Sequence, residues 1–350
     1  MLIYFFFLFI LLFFTILELS NNSTLSVISN KMIYSMVVMC LIVFAGCRYG
    51  IDHDFWNYQN LFFYKKYFDK VEPGFRYIIY FYKYFFNETF EGFIFFIAFL
   101  SLLFKNHFFL KQCHPFLCLL FYYSYYFISF EFNILRQSTS LIFIFISVEY
   151  AIERKFFRFF LLVALATCIH YSCIIFFPSY FLVNFSIKKR SIPVVIILIV
   201  LIKYFVWGPI LSIALSQIAN FAHIPMLNKL HYLTESTGAM VSVGWLKQVT
   251  ILFLYVMLSD NDSRIKNPYF NLFLFSVLAE YFVVGIESFG NRLFLSYEIF
   301  MIPLFGNEKY RYTKKNVFII FVILLVLLLF FIKTLFSSSS LPYVSQFFNF

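Results

Sequence analysis

The run VFIIFVILLVLLLFFIKTLF at residues 317–336 contains one charged residue, Lys333. About 20 consecutive apolar residues are what an α-helix needs to cross the hydrocarbon core of a bilayer. A second run, LIYFFFLFILLFFTIL at residues 2–17, lacks the basic start and the small-residue cleavage site of a signal peptide, so we interpret it as a retained helix. These runs are continuous rather than alternating, which favours membrane helices over a β-barrel.

Apolar stretches recur along the whole length of the chain. Of the 350 residues, 62% are hydrophobic and 13% are charged, and the mean hydropathy is +0.85. This composition excludes an ordinary soluble domain. We predict an all-α, polytopic integral membrane bundle of about 11 to 13 transmembrane helices, forming one domain over residues 1–350. The predicted spans are 2–17, 32–47, 74–86, 92–104, 115–130, 137–152, 156–169, 171–185, 191–207, 244–258, 269–286, 290–305 and 317–336.

The net charge of +10 predicts which loops face the cytoplasm. Cytoplasmic loops of membrane proteins carry an excess of Lys and Arg, so the charge is weak evidence for nucleic acid, and we predict no such partner. The basic groups that mark candidate cytoplasmic loops are Lys105 with Lys111, Arg154 with Lys155 and Arg158, 188–190, Arg264 with Lys266, and the basic residues within 309–315.

Two longer segments, 48–74 and 208–243, are predicted to be external loops. Counting crossings backwards from Lys105 places 48–74 inside if both 74–86 and 92–104 cross. The segment 74–86 carries Arg76 and Lys83, and we expect it to lie along the interface instead. The six cysteines include no C-x-x-C pair, so neither a zinc site nor a disulfide framework is indicated, and we predict no metal and no cofactor.

The loop RYGIDHDFWNYQNLFFYKKYFDKVEPG at residues 48–74 holds four of the seventeen carboxylates of the chain. Ionisable groups are costly near lipid, so their concentration in one segment indicates a site. Asp54 and Glu72 are candidates for a general base or for metal ligands, whereas Asp69 is interpreted as a solvated partner of the nearby lysines.

Three further groups of polar residues lie at or within apolar segments. Asn133, Arg136 and Gln137 open an apolar helix, and the planar guanidinium of Arg136 suits two oxygens of a phosphate. His170 is surrounded by apolar residues and is a candidate proton acceptor or phosphate donor. Asn291 and Arg292 follow Gly290 between two apolar spans and add a second candidate phosphate ligand. These groups suit a lipid diphosphate, but a transporter of an anionic substrate uses the same groups.

Glu149, Glu280 and Glu298 are embedded in apolar runs. For each of these carboxylates we expect pairing with Arg or Lys on a neighbouring helix.

Five motifs in the same order resemble those of the EpsG family of bacterial polysaccharide polymerases, a group that includes many Wzy-type O-antigen polymerases. The motifs are RYGIDHDFWNY (48–58), EPGF (72–75), NILRQS (133–138), AIERKFFRFFLLVALATCIHYSCIIFFP (151–178) and NRLFLSYEIFMIPLF (291–305). The family motifs match this chain at the following positions, which the resemblance implies are functional: Arg48, Asp54, Tyr58, Glu72, Asn133, Arg136, Gln137, His170 and Arg292. This chain departs from the family pattern at the first motif, where Gly-x-Asp is replaced by Asp-His-Asp and Asp52 competes with Asp54 for the acidic position.

The resemblance implies a GT-C-like membrane glycosyltransferase of the bacterial inner membrane. Such an enzyme joins undecaprenyl-diphosphate-linked oligosaccharide repeats on the periplasmic face, with a chain-length regulator protein as a further candidate partner. In that reading Arg136 and Arg292, together with Arg48, bind the diphosphate. Asp54 or Glu72 acts as the base, and His170 is the second candidate base or a phosphate donor. A flippase or exporter of the same lipid-linked sugar, an O-antigen ligase and a sugar acyltransferase remain alternatives.

Overall fold

The computed structural model describes residues 1–20, 27–51, 54–86, 89–203, 243–259, 264–283, 293–308, 313–337 and 341–345. The chain is all-α, as predicted, with one pair of two-residue strands. Three helices are long and apolar enough to cross a membrane, Leu2–Ser20, Phe90–Phe109 and Asn316–Phe336, and several shorter apolar helices accompany them. The described residues group into two compact units, 1–174 with 302–350 and 175–301. The prediction of a single domain stays a prediction.

The first unit consists mainly of long helices. Its elements are α1 (Leu2–Ser20), α2 (Val27–Gly46), α3 (Asp54–Phe63), a 3-10 helix (Lys65–Lys70), α4 (Pro73–Phe85), α5 (Phe90–Phe109), α6 (Pro115–Tyr122), two π-helical segments (Tyr123–Phe127 and Ser129–Asn133), α7 (Leu135–Ile152) and α8 (Phe156–Ile169). Pro73 and Pro115 occupy the first turns of their helices, where the missing N–H of proline costs no hydrogen bond. The segment 48–74, expected to be a loop, is therefore partly helical.

The second unit is built from shorter elements. It contains α9 (Ser179–Leu182), β1 (Ile187–Lys188), α10 (Ser191–Ile202), α11 (Val243–Leu258), β2 (Arg264–Ile265), α12 (Pro268–Val283) and α13 (Leu295–Glu298). The strands pair antiparallel, with Ile187 opposite Ile265. The predicted span 171–185 is thus a 3-10 helix (Tyr171–Phe176) followed by α9. The second predicted loop, 208–243, lies outside the described residues apart from its last position. The chain then continues through α14 (Met301–Gly306) to α15 (Lys314–Ser337).

Helix α4 packs against the start of α5. The ring of Phe93 contacts both Phe75 near the start of α4 and Tyr82 near its end, with ring centroids 6.1 and 5.5 Å apart. One buried cluster joins α3, α4, the first two turns of α5, the first residue of α7 and the last residue of α8. We call the end of the first unit where this cluster lies the Glu72 end, and the prediction that 74–86 lies along the membrane interface stays a prediction.

The opposite end of the first unit carries basic residues. Lys111 pairs with Glu149 at 2.7 Å, and Lys155 pairs with Glu153 at 2.7 Å at the start of α8. We call this the Lys111 end. Lys105, expected in a cytoplasmic loop beside Lys111, is instead fully buried within α5, where its amine bonds Glu131 at 2.8 Å. That prediction was wrong because a lysine can lie inside a membrane bundle when a carboxylate neutralises it.

Two of the three embedded carboxylates pair as predicted. Glu149 bonds Lys111, and Glu298 bonds Lys247 of α11 at 3.1 Å. Glu280 of α12 accepts a hydrogen bond from the amide of Gln248. Pairing of this kind stabilises polar side chains in apolar helices.

Candidate functional site

Glu72 is the centre of a polar cluster at the Glu72 end. The residue is 1% exposed and caps the first turn of α4, directly before Pro73. Its Oε2 lies 2.5 Å from Nη1 of Arg136, and its Oε1 lies 3.1 Å from Nδ1 of His170. Three residues that are 64 and 34 positions apart in the sequence are thereby brought together around one carboxylate.

The helices that carry these residues fix their positions. Arg136 is the second residue of α7, and His170 directly follows the last residue of α8 in an extended conformation. A Cβ on Gly74 would lie 2.7 Å from the carbonyl oxygen of Cys168, so only glycine permits this close approach of α4 to α8. That contact holds Glu72 beside the end of α8 and so beside His170.

The cluster is buried at its carboxylate and open at its basic groups. The side chain of Arg136 is 25% exposed and that of His170 is 19% exposed, against 1% for Glu72. Burial favours a raised pKa for the Glu72 carboxyl, but the hydrogen bond to His170 and the charge of Arg136 outweigh it and lower the pKa from 4.5 to about 2. Glu72 is therefore a charged hydrogen-bond acceptor at neutral pH, and Nδ1 of His170 is the donor in their contact.

Tyr58 extends the cluster towards α3. Its hydroxyl oxygen lies 3.5 Å from the main-chain nitrogen of Arg136, and its ring contacts Phe75. The hydroxyl accepts this hydrogen bond, and burial raises its pKa, so it remains neutral. Asp54 begins α3 one turn earlier and accepts a hydrogen bond from Asn57 at 3.1 Å. The structure thus places Asp54 beside Tyr58 on one helix rather than in direct contact with Glu72.

Arg48 occupies a different environment from Arg136. Its guanidinium is fully buried, donating to the carbonyl of Ala45 at 2.6 Å and to that of Phe132 at 3.4 Å. Residue 49 bonds the carbonyl of Val344, which brings the 341–345 segment against the end of α2. Arg48 therefore links α2 to the segment just before Asn133.

The other candidates fall into two groups. Asn133 ends the second π-helical segment, and its Oδ1 is buried and has no hydrogen-bond partner among the described residues. Gln137 is buried next to Arg136 on α7. Asp52, Asn291 and Arg292 lie outside the described residues. Within the described ranges, no group of three or more His, Cys, Asp or Glu side chains has the arrangement of a metal site.

Sequence reasoning did not select two features of this region. Arg76 lies one turn after Glu72 on α4, and its Nε is buried without a hydrogen-bond partner among the described residues. Glu131 and Lys105 form a buried ion pair two helices away from Glu72. The i, i+4 spacing of Arg76 from Glu72 is the sequence signal that could have identified Arg76 as a neighbour of Glu72. No signal in the sequence predicts that Lys105 pairs with Glu131.

The acid stability of the protein is expected to depend on Glu72. Because the folded-state pKa is lower than the unfolded value, its stabilisation is fully present above pH 4.5 and is lost as the pH falls towards 2. A shift of this size corresponds to about 3 kcal/mol. Thermal unfolding of wild type and Glu72→Gln in detergent is expected to give well-separated midpoints at pH 7 that converge near pH 2. Equal separation at both pH values would contradict this assignment.

The fold and the site together define the class of this protein. It is a helical membrane protein with a Glu–Arg–His cluster at one end of its bundle. The family model of the EpsG family matches residues 31–345, so the chain belongs to the EpsG family. The resemblance noted from the five motifs is thereby confirmed at the level of the family. This family is associated with polysaccharide biosynthesis and with glycosyltransferase-like activity. No curated protein and no solved structure matches the chain.

Proposed function

We propose that this protein polymerises polysaccharide by joining undecaprenyl-diphosphate-linked oligosaccharide repeats, as a Wzy-type O-antigen or exopolysaccharide polymerase. The observation that supports this proposal best is the Glu72–Arg136–His170 cluster. It presents a part-exposed guanidinium beside a histidine that is held by a buried carboxylate. A lipid diphosphate donor and a sugar hydroxyl acceptor need these two groups side by side.

Arg136 would bind the leaving diphosphate. As the glycosidic bond breaks, negative charge develops on the departing phosphate oxygen, and a positioned guanidinium stabilises that charge. Nη1 of Arg136 already bonds the Glu72 carboxylate, whose charge offsets that of the guanidinium, so a diphosphate calls for further cations. Arg76, one turn along α4, and Arg292 are the candidates; Arg48 would act indirectly, since it holds the main chain before Asn133.

His170 is the better base of the candidates. Its Nδ1–H donates to Glu72, which leaves the lone pair of the neutral imidazole on Nε2. The acceptor hydroxyl attacks the anomeric carbon of the donor sugar and its proton passes to Nε2. The bond from that carbon to the phosphate oxygen breaks, and undecaprenyl diphosphate leaves with the electron pair. Glu72 stabilises the resulting imidazolium, as the carboxylate does in other carboxylate–histidine pairs.

Basic residues lie at both ends of the first unit, Lys111, Lys155 and Arg158 at the Lys111 end and Lys65, Lys66 and Lys83 at the Glu72 end, so the proposed reaction rather than the charge assigns the side of the membrane. The Glu72 end would then face the periplasm of a bacterial inner membrane, where lipid-linked repeats are joined. A chain-length regulator is a proposed partner at the same face.

A glycan ladder from a deletion strain tests the proposal. We expect the deletion to leave single-repeat glycan only, wild type to restore long chains, and His170→Ala to restore few or none at equal membrane level. Loss of single-repeat surface glycan as well would instead support a flippase or exporter. A ladder unchanged by deletion would exclude the polymerase, and an O-antigen ligase or sugar acyltransferase would then be tested next.

A further inference from the structure

A second polar network lies inside the first unit, entirely removed from solvent. The amine of Lys105 bonds Oε1 of Glu131 at 2.8 Å, the hydroxyl of Ser101 at 2.6 Å and that of Ser138 at 2.5 Å. The hydroxyl of Tyr122 also bonds Glu131. The charged pair and both serines are 0% exposed, so the network lies inside the first unit and away from its surface.

The network joins the two sides of a break in the helix that carries Arg136. The second π-helical segment, which contains Glu131, ends at Asn133, and α7 begins at Leu135. Between them Ile134 leaves the helical conformation, with φ −94° and ψ 56°. Ser138 lies in the first turn of α7, so Glu131 precedes the break and Ser138 follows it.

We infer that Lys105 and Ser138 are positioning residues that hold this break in place and thereby direct Arg136 towards Glu72. One amine bonds a residue on each side of the break, and the hydroxyl of Ser138 also donates to Glu131 at 3.0 Å. Because one non-helical residue separates the two segments, the direction of α7 is set by its tertiary contacts. Arg136 is two residues before Ser138, so any rotation of the first turn of α7 moves its guanidinium away from the carboxylate.

The energetic balance of the network agrees with a positioning role. A buried ion pair contributes little net stability, because the cost of removing two charges from water offsets their attraction. In some proteins such a pair is retained because it specifies a geometry, and that is the role inferred for this one. Here that geometry is the angle between the π-helical segment and α7. Asn133, Arg136 and Gln137 lie at or next to the break between these two segments.

Ser101 provides a matched control for Ser138. Both serines are fully buried, and each bonds Lys105 and Glu131. Ser101 lies on α5, which carries none of the proposed site residues, whereas Ser138 lies on α7. Ser138→Ala and Ser101→Ala therefore remove one hydroxyl each from the same network, but only the first disconnects it from Arg136.

The first measurement is hydrogen exchange of the purified protein, which does not depend on any activity. We expect Ser138→Ala to speed exchange about tenfold or more in a peptide covering 133–138, while Ser101→Ala leaves it within about twofold of wild type. Ser138→Thr, which keeps the hydroxyl, is expected to restore protection, and Ser138→Val, which has the same shape without it, is not. If the peptide 133–138 exchanges no faster in Ser138→Ala and Ser138→Val than in Ser101→Ala, the network serves only general stability and the inference is wrong.

The second measurement is elongation rate with lipid-linked repeats at equal folded amounts, and this arm rests on the proposed function. Misplacing a catalytic group by about 1 Å can cost a hundredfold in rate, so we expect Ser138→Ala to lose about tenfold or more and Ser101→Ala less than about twofold. If the wild-type protein does not elongate the glycan, the proposed function is overturned. The hydrogen-exchange result then decides whether Lys105 and Ser138 are positioning residues. Equal losses in both variants overturn the positioning role alone.

Discussion

Replacing Arg136 by alanine is expected to lower polymerisation by about a thousandfold, leaving single-repeat glycan in its place. The substitution removes the part-exposed guanidinium that lies 2.5 Å from Glu72 and is proposed to stabilise the departing diphosphate. It also removes one of the two groups that hold the Glu72 carboxylate in place, so the position of His170 becomes less well fixed. Arg136→Lys keeps the charge without the planar fork, and we expect it to recover only a minor part of the rate.

The measurement is the glycan ladder of a deletion strain complemented with each variant at matched membrane levels. Arg158→Ala is the matched control, since this arginine lies in the first turn of α8, at the Lys111 end. It is expected to support a ladder like that of wild type. Long chains in the Arg136→Ala strain, or an equal loss with Arg158→Ala, would remove Arg136 from the proposed site.

Replacing Lys105 by methionine is expected to destabilise the protein by about 3–5 kcal/mol. Methionine is close to lysine in length, so the dominant effect is that the carboxylate of Glu131 stays buried without its counter-ion. The double variant Lys105→Met with Glu131→Gln removes both charges and is expected to lose less stability than Lys105→Met alone. The free energies of unfolding are measured in mixed micelles.

The exposed pair of Lys111 and Glu149 gives the comparison for that experiment. Its partners are 48% and 35% exposed, against 0% for both partners of the buried pair. Surface ion pairs contribute about 0–1 kcal/mol, so Lys111→Met is expected to have little effect on unfolding. A loss of stability in the double variant equal to the sum of the losses in Lys105→Met and Glu131→Gln would show that the buried charges contribute no coupling of the expected sign.

The class of fold follows from the amino-acid sequence alone. Long apolar runs such as 2–17 and 317–336 leave the main chain no alternative to helices, because hydrogen bonds within a helix satisfy its polar groups without water. The same reasoning identified Glu72, Arg136 and His170 as candidates, because ionisable groups at apolar segments are costly unless they have a role. Motif order was sufficient to indicate the family.

Only the tertiary structure decided how those groups are combined. Glu72 and His170 are 98 residues apart, and no local rule places the N-terminus of α4 against the end of α8. The structure also separated Arg48, which bonds main-chain carbonyls, from Arg136, which bonds a carboxylate. Both are arginines near the ends of apolar helices, so their sequence contexts could not distinguish them.

The buried pair of Lys105 and Glu131 marks the limit of what the sequence determined. A lysine near the end of an apolar run matches the pattern of a cytoplasmic loop, and that pattern is correct when the amine reaches water. Whether it does depends on which carboxylate the neighbouring helices bring within about 3 Å, and that distance is set by packing between helices. Sequence periodicity describes each helix separately, so the choice between water and Glu131 belongs to the tertiary structure.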